Sequence, residues 1–199
     1  MVFDDVLSDP DALRDVASGL SYPPQPDSNF PGRNSQERVN MPDIDALVEG
    51  VVRERLRPMT ELSHGKFRLT LASETGRGQV HMDRSHWSGI LYLSRPEHCR
   101  GGTEFFRHKA TNTDGLVMDA SQLTSSRWSD AATANREIGA LAARDSNRAE
   151  AWETVMRVPM RYNRLLLLRP WQWHTAGPGF GTDFETGRLV YLMFYEQVG

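Results

Sequence analysis

The 199-residue chain is long enough to bury one proper core, and its 39% hydrophobic and 25% charged residues are ordinary for a globular protein. A net charge of −3 and a pI near 6.1, with no basic stripe interleaved with aromatics, argue against nucleic acid as a partner. A single cysteine, Cys99, rules out an intrachain disulfide and fits a reducing compartment.

The first residues, MVFDDVLSDPDALRDVA, lack the basic and apolar regions of a signal peptide. The longest apolar run, Leu165 to Leu168, is too short to span a bilayer. A single cytoplasmic domain over 1–199 with no membrane partner is the expectation. Asp9 or Asp11 can cap a short helix through about Gly19, with Pro10 near its first turn. Residues 21–35 carry four prolines and a glycine and read as an ordered, extended loop. Ile44, Leu47, Val48, Val51, Val52 and Leu56 keep helical spacing, which predicts a helix over Pro42 to Arg57. Residues 1–60 thus form a helical and proline-rich support.

From Lys66 the hydrophobic period changes. KFRLTLA, SGILYLS, GGTEFF, RLLLLRP and GRLVYLMFYE are short β-rich runs separated by Gly and Pro. Thr124 to Met156 reads as helical again, with Ile138, Leu141 and Ala142 in one stripe and Trp152, Val155 and Met156 in another. This order predicts a mainly β fold with flanking helices, a sandwich or jelly roll. The insertion 112–157 is far longer than a usual connection. It is expected to be either a substrate-shaping lid, presenting Arg127, Asp130, Arg136 and Arg144, or a helical cover on one sheet face.

In an extended segment, side chains two apart share a face, so His81 and Asp83 project together. An imidazole and a carboxylate so placed are two of the three ligands of a facial triad for ferrous iron. A lone pair of this kind is more often a hydrogen-bonded strand end, so a third ligand is needed. His174, after the apolar RLLLL and a Trp-rich corner, is the best placed of the remaining histidines. His64, His98 and His108 have polar surroundings, and His86 is too close to His81. On the last strand Arg188 shares a face with Val190, Leu192 and Phe194. If that face is interior, the guanidinium calls for an anionic ligand held bidentately, with Tyr92 placed to assist; the alternative, commoner for an arginine taken alone, is a place at the strand edge in solvent.

The ordered set HMD, ILYLS, GGTEFF, RLLLL before His174, and Arg188 opening a strand resembles the ferrous iron and 2-oxoglutarate-dependent dioxygenases, particularly the prolyl-hydroxylase-like branch. The resemblance runs from about Gln79 to Glu196. It implies a double-stranded β-helix of jelly-roll, cupin-like type, with Fe(II) on His81, Asp83 and His174. It also implies that Arg188 and Tyr92 bind the distal carboxylate of 2-oxoglutarate, and that dioxygen (O2) is consumed as succinate and carbon dioxide form. Asp83 favours hydroxylation, desaturation or cyclisation over halogenation, because halogenating relatives replace this carboxylate. Many relatives carry Ser or Thr where this chain has Val190, and the gap from His174 to Arg188 is long. Both departures bear on the cosubstrate more than on the metal.

The substrate is expected to be an amino acid, a small peptide or a related metabolite. Arg84, His86 and Trp87, just past the ligands, and Arg33 and Asn34 in NFPGRNS are candidate substrate contacts. Trp171 and Trp173 are expected to pack the core or rim. The competing readings are a cupin-like metal enzyme that does not use 2-oxoglutarate and a non-catalytic jelly-roll binding module. The sequence says nothing of oligomeric state.

Overall fold

A computed structural model describes residues 1–25, 28, 30–76, 79–117, 128 and 130–199. Helix α1 (Pro10–Ser18) starts as the sequence requires. Asp9 accepts the Ala12 N–H at 3.0 Å, Pro10 occupies the first turn, and Gly19 closes the helix. Helix α2 (Pro42–Val52) is shorter than its hydrophobic spacing predicts. Arg53 turns left-handed at φ 58° and its N–H caps Glu49, after which Leu56–Pro58 leaves as strand β3. The periodicity that continues to Leu56 is therefore a strand residue sharing the same core.

Among the described residues, ten strands make two antiparallel sheets. Strands β1 (Val2–Phe3), β2 (Arg33–Asn34), β3, β4 (Phe67–Thr70), β5 (Trp87–Tyr92), β8 (Arg164–Leu168) and β10 (Arg188–Gln197) form the larger sheet. Its order is β1-β8-β5-β10-β4-β2, and β3 also pairs with β10. The smaller sheet is β7 (Trp152–Pro159), β6 (Gly102–His108) and β9 (His174–Thr175), in the order β7-β6-β9. The chain is thus mainly antiparallel β with few helices, as the expected fold class requires at that level. Among the described residues no helix is long and apolar enough to cross a membrane.

Both faces of the larger sheet are covered, which explains why β8 and β10 read as nearly continuous apolar runs. Leu189, Tyr191, Met193 and Tyr195 face α1 and α2, where Leu13, Ala17, Ile44 and Val48 complete a core. The alternate residues Val190 and Leu192 face the smaller sheet and pack with Ile90, Leu166, Leu168, Phe105 and Val158. Each fully buried aliphatic side chain here contributes about 1.5–3 kcal/mol.

The Gly-Gly pair before β6 is a matter of space. Gly102 has φ 146°, and a Cβ there would stand 2.0 Å from the Val158 carbonyl oxygen. Only glycine lets β7 and the loop at Gly177 close on this point.

The far face of the smaller sheet is covered by helix α3 (Ala131–Asp145). Ala134, Ile138 and Ala142 pack on Val80, Phe106, Trp152 and Trp173. Trp173 is thus a core residue, as expected. The second helical stripe predicted for the insertion is overturned. Trp152, Val155 and Met156 belong to β7, a strand paired only with β6, and Val155 and Met156 point to solvent. Their three- and four-residue spacing imitates a helix, but β-branched Thr154, Val155 and Val158 and the waiting edge of β6 favour the strand.

Candidate metal and anion site

Strand β9 delivers His174 at the inner edge of the smaller sheet. The segment before β5 lies beside it: His81 and His174 exchange backbone hydrogen bonds of 2.9 and 3.0 Å as an antiparallel bridge. The Asp83 N–H donates to the Pro170 carbonyl at 3.0 Å, which fixes the third residue. One ligand atom from each of His81, Asp83 and His174 lies within 4.8 Å of the others, close enough to hold one metal ion. Asp83 reaches His174 Nε2 at 3.5 Å and His81 Nε2 at 3.9 Å.

The tautomers are set by the backbone. Nδ1 of His81 is 2.8 Å from the Gln79 carbonyl, and Nδ1 of His174 is 2.8 Å from the Gln172 carbonyl. A carbonyl only accepts, so each Nδ1 carries its proton and each Nε2 keeps a lone pair for a cation. Burial, helped by His174, lowers the His81 imidazole to about 4, so it is neutral near pH 7. Burial alone would raise Asp83. The neighbouring His174 first, then His81, and the Ser88 hydroxyl that donates to it at 3.3 Å outweigh burial, and the carboxyl stays below its usual range. Phe30 lies on the His81 ring with centroids 4.0 Å apart.

The three residues line a cavity of about 610 Å³ between the sheets. Arg188 lines it too, 2% exposed, and its Nε and Nη2 are buried with no hydrogen-bond partner. Burial pushes its guanidinium down from its ordinary value. Among the described residues no carboxylate reaches ion-pair distance of it.

Other expected contacts fall elsewhere. Tyr92 is buried near Arg188 but does not line the cavity. Its hydroxyl is 2.7 Å from the Thr103 hydroxyl and accepts the Thr103 N–H at 3.1 Å. Arg84 lines the cavity, whereas His86 and Trp87 face away. His86 and Trp87 meet the Glu54 carboxylate at 2.5 and 3.2 Å, and Arg169 stacks 3.7 Å over Trp87. Arg33 pairs with Glu74 at 2.7 Å and Asn34 donates to the Ser63 hydroxyl at 2.8 Å; neither lines the cavity, though Phe30 and Pro31 beside them do. The proline-rich loop therefore folds over the site through different residues than the sequence suggests. No described residue of 112–157 lines this cavity. Asp130 caps α3 by accepting the Thr133 N–H and Arg144 pairs with Asp145; Arg127 lies outside the described residues.

The family of unknown function named DUF6445 has a profile that matches residues 1–195. The chain belongs to this family. No curated protein matches the DUF6445 chain. Its fold is similar to HygX from Streptomyces hygroscopicus, in the crystal structure with nickel, 2-oxoglutarate and hygromycin B bound. The TM-score is 0.51 at 14% identity, over 98% of this chain and 82% of HygX. The HygX structure with nickel and 2-oxoglutarate gives 0.51 at 13% identity over the same shares.

Sequence reasoning missed several cavity-lining groups of this DUF6445 chain, chiefly Arg68 and Thr70 on β4. A signal was there. FRLT alternates, and Phe67 and Leu69 enter the helix-side core, so Arg68 and Thr70 must face the other way. The register places Arg68 opposite Val190 and Thr70 opposite Arg188.

Proposed function

We propose that this chain is a non-haem Fe(II)- and 2-oxoglutarate-dependent dioxygenase that oxidises an amino acid, a small peptide or a related metabolite. The observation that carries the reading is one cavity holding both a His–Asp–His set with free Nε2 atoms and a fully enclosed, unpartnered arginine. A cupin-like enzyme without 2-oxoglutarate leaves that arginine without a task, and a binding module leaves the triad without one. The fold likeness to HygX, which holds nickel and 2-oxoglutarate, supports the class. The paired sheets are read as a double-stranded β-helix. The prolyl-hydroxylase-like branch rests on the ordered sequence motifs alone.

In this reading His81, Asp83 and His174 hold the iron and leave positions open. Arg188 takes the distal carboxylate of 2-oxoglutarate through its planar fork, which converts a costly orphan charge into a charge-assisted pair. Tyr92, its hydroxyl engaged by Thr103, lies near the guanidinium and adds its dipole to that end of the site. When bound, iron and 2-oxoglutarate supply the oxidising power, with dioxygen consumed and succinate and carbon dioxide released. The chain's own contribution is to fix both imidazoles, to orient the anion and, through Phe30 and the apolar walls Ile90, Leu168 and Leu192, to keep water from the reacting centre.

The test is succinate formation from 2-oxoglutarate by protein reconstituted anaerobically with ferrous iron and then exposed to air, against a panel of amino acids and peptides. Iron-dependent succinate that disappears in His174→Ala, together with lost iron uptake, is the expected result. Iron uptake and turnover unchanged in that variant would remove His174 from the site, and a wild type that takes up no iron would end the reading.

A further inference from the structure

The cavity holds more positive charge than one cosubstrate uses. Its charged lining side chains are Arg38, Lys66, Arg68, Arg84 and Arg188 against Glu61 and Asp83. Arg38 is spent on the carbonyls of His64, Thr60 and Leu62. Arg68 is not spent. Its Nε is buried without a partner, and its Nη2 makes only long contacts to neutral oxygens, 3.3 Å to Ser28 and 3.4 Å to Phe30. Of the nearby carboxylates, Glu74 pairs with Arg33, and Asp83 accepts from the Ser88 hydroxyl and stands in the His–Asp–His set. Among the described residues none reaches ion-pair distance of Arg68.

Arg68 and Arg188 also look in different directions. Arg188 is enclosed at the Tyr92 end, paired across the strand with Thr70. The Arg68 guanidinium lies 5.8 Å over Phe30, whose other contact is the His81 ring. Its charge therefore stands beside the His–Asp–His set, on the side where exposed Arg84 and half-buried Lys66 continue the lining. Arg68 is half-buried with its Nε enclosed; an enclosed N–H without an acceptor costs free energy unless a ligand supplies one, and the flat fork suits an oxyanion.

We propose that the substrate is itself an anion, a small molecule whose carboxylate or phosphate group is gripped by Arg68 next to the metal ligands. This rests on the reading of Arg188 as the cosubstrate anchor. The site then takes two anions, one at enclosed Arg188 and one at half-buried Arg68.

Calorimetric titration of the metal-free full chain with glutarate and with inorganic phosphate decides this. The wild type is expected to bind two anions per chain. Arg188→Gln should remove one and Arg68→Gln the other, each weakened at least tenfold, with Arg68→Lys recovering part of the loss. The preferred probe at the Arg68 site tells carboxylate from phosphate. A single anion lost equally in either Gln variant, or no anion bound by the wild type at millimolar concentration, would overturn the proposal. In iron-loaded protein, the 2-oxoglutarate concentration for half-maximal succinate formation should rise at least tenfold in Arg188→Gln and less than twofold in Arg68→Gln; a parallel rise assigns both arginines to the cosubstrate. Two anions bound with no succinate from any panel member would sink the dioxygenase reading while leaving the second anion site standing.

Discussion

Stripping water from a guanidinium costs several kcal/mol, and Arg188 recovers little of that within the chain, since its Nε and Nη2 have no partner. Arg188→Met keeps the length and apolar stem while deleting the charge. It is expected to stabilise the ligand-free protein by about 1–3 kcal/mol in urea unfolding. With 2-oxoglutarate at saturation the order should reverse, because only the wild type gains from the ligand. A variant less stable than wild type in both conditions would mean that the charge is satisfied without ligand. Alternation along β10 groups Arg188 with Val190 and Leu192, but that this face is enclosed comes from the smaller sheet packed over it. The environment of Tyr92, His86 and Trp87 could not be read from sequence either, because it comes from Thr103, Glu54 and Arg169, residues 11, 32 and 82 positions distant or more and without any local signature.

Helix α3 decides how the long insertion is used. Ile138 is fully buried against Phe106, Trp152 and Trp173 on the face of the smaller sheet away from the cavity. Ile138→Ala should therefore cost about 2–5 kcal/mol of stability. The ratio of substrate oxidised to succinate formed, per folded molecule, should stay at its wild-type value. A lid would show the opposite pattern, with coupling lost at little cost in stability. The C-terminal end of the helix is tied down by Asp145, which meets Arg144 at 2.7 Å and the buried His108 at 3.1 Å. The Arg144 guanidinium first, then His108, hold this carboxyl well below the usual range against the opposing effect of burial. A carboxyl depressed on folding adds stability above its unfolded value, about 3.9, and loses it as pH falls toward the folded one. The melting-temperature gap between wild type and Asp145→Asn should then be widest near pH 7 and narrow below pH 4. A gap independent of pH would show that the charge has no part in anchoring α3. Among the elements, β4, β5, β6, β8 and β10 were legible as short β-rich runs, alternating in β4 and nearly continuous and apolar in β8 and β10, with Gly or Pro between them. The two- and three-residue strands β1, β2 and β3 have no period to read and exist only because β8, β4 and β10 offer an edge. Strand β7 was misread for the same reason, since its fate is decided by β6.

At the scale of the whole molecule, a 7-stranded and a 3-stranded sheet enclose the site, with helices on both outer faces. The reciprocal backbone bonds between His81 and His174, and the two carbonyls that hold the Nδ1 protons, position the imidazoles. Imidazoles held by these bonds have little freedom to choose a metal by reshaping around it. Two nitrogens and one carboxylate oxygen then rank divalent ions by the Irving–Williams series, in which ferrous iron binds more weakly than nickel, copper or zinc. Protein purified in air is accordingly expected to carry zinc or nickel in proportion to what the growth medium offered, as elemental analysis would show. Such preparations should be inert until stripped and reloaded with ferrous iron without oxygen, and a trace of zinc should poison them. On the proposed reading, the metal a preparation carries is a matter of supply, and its colour and activity record its history as much as its chemistry.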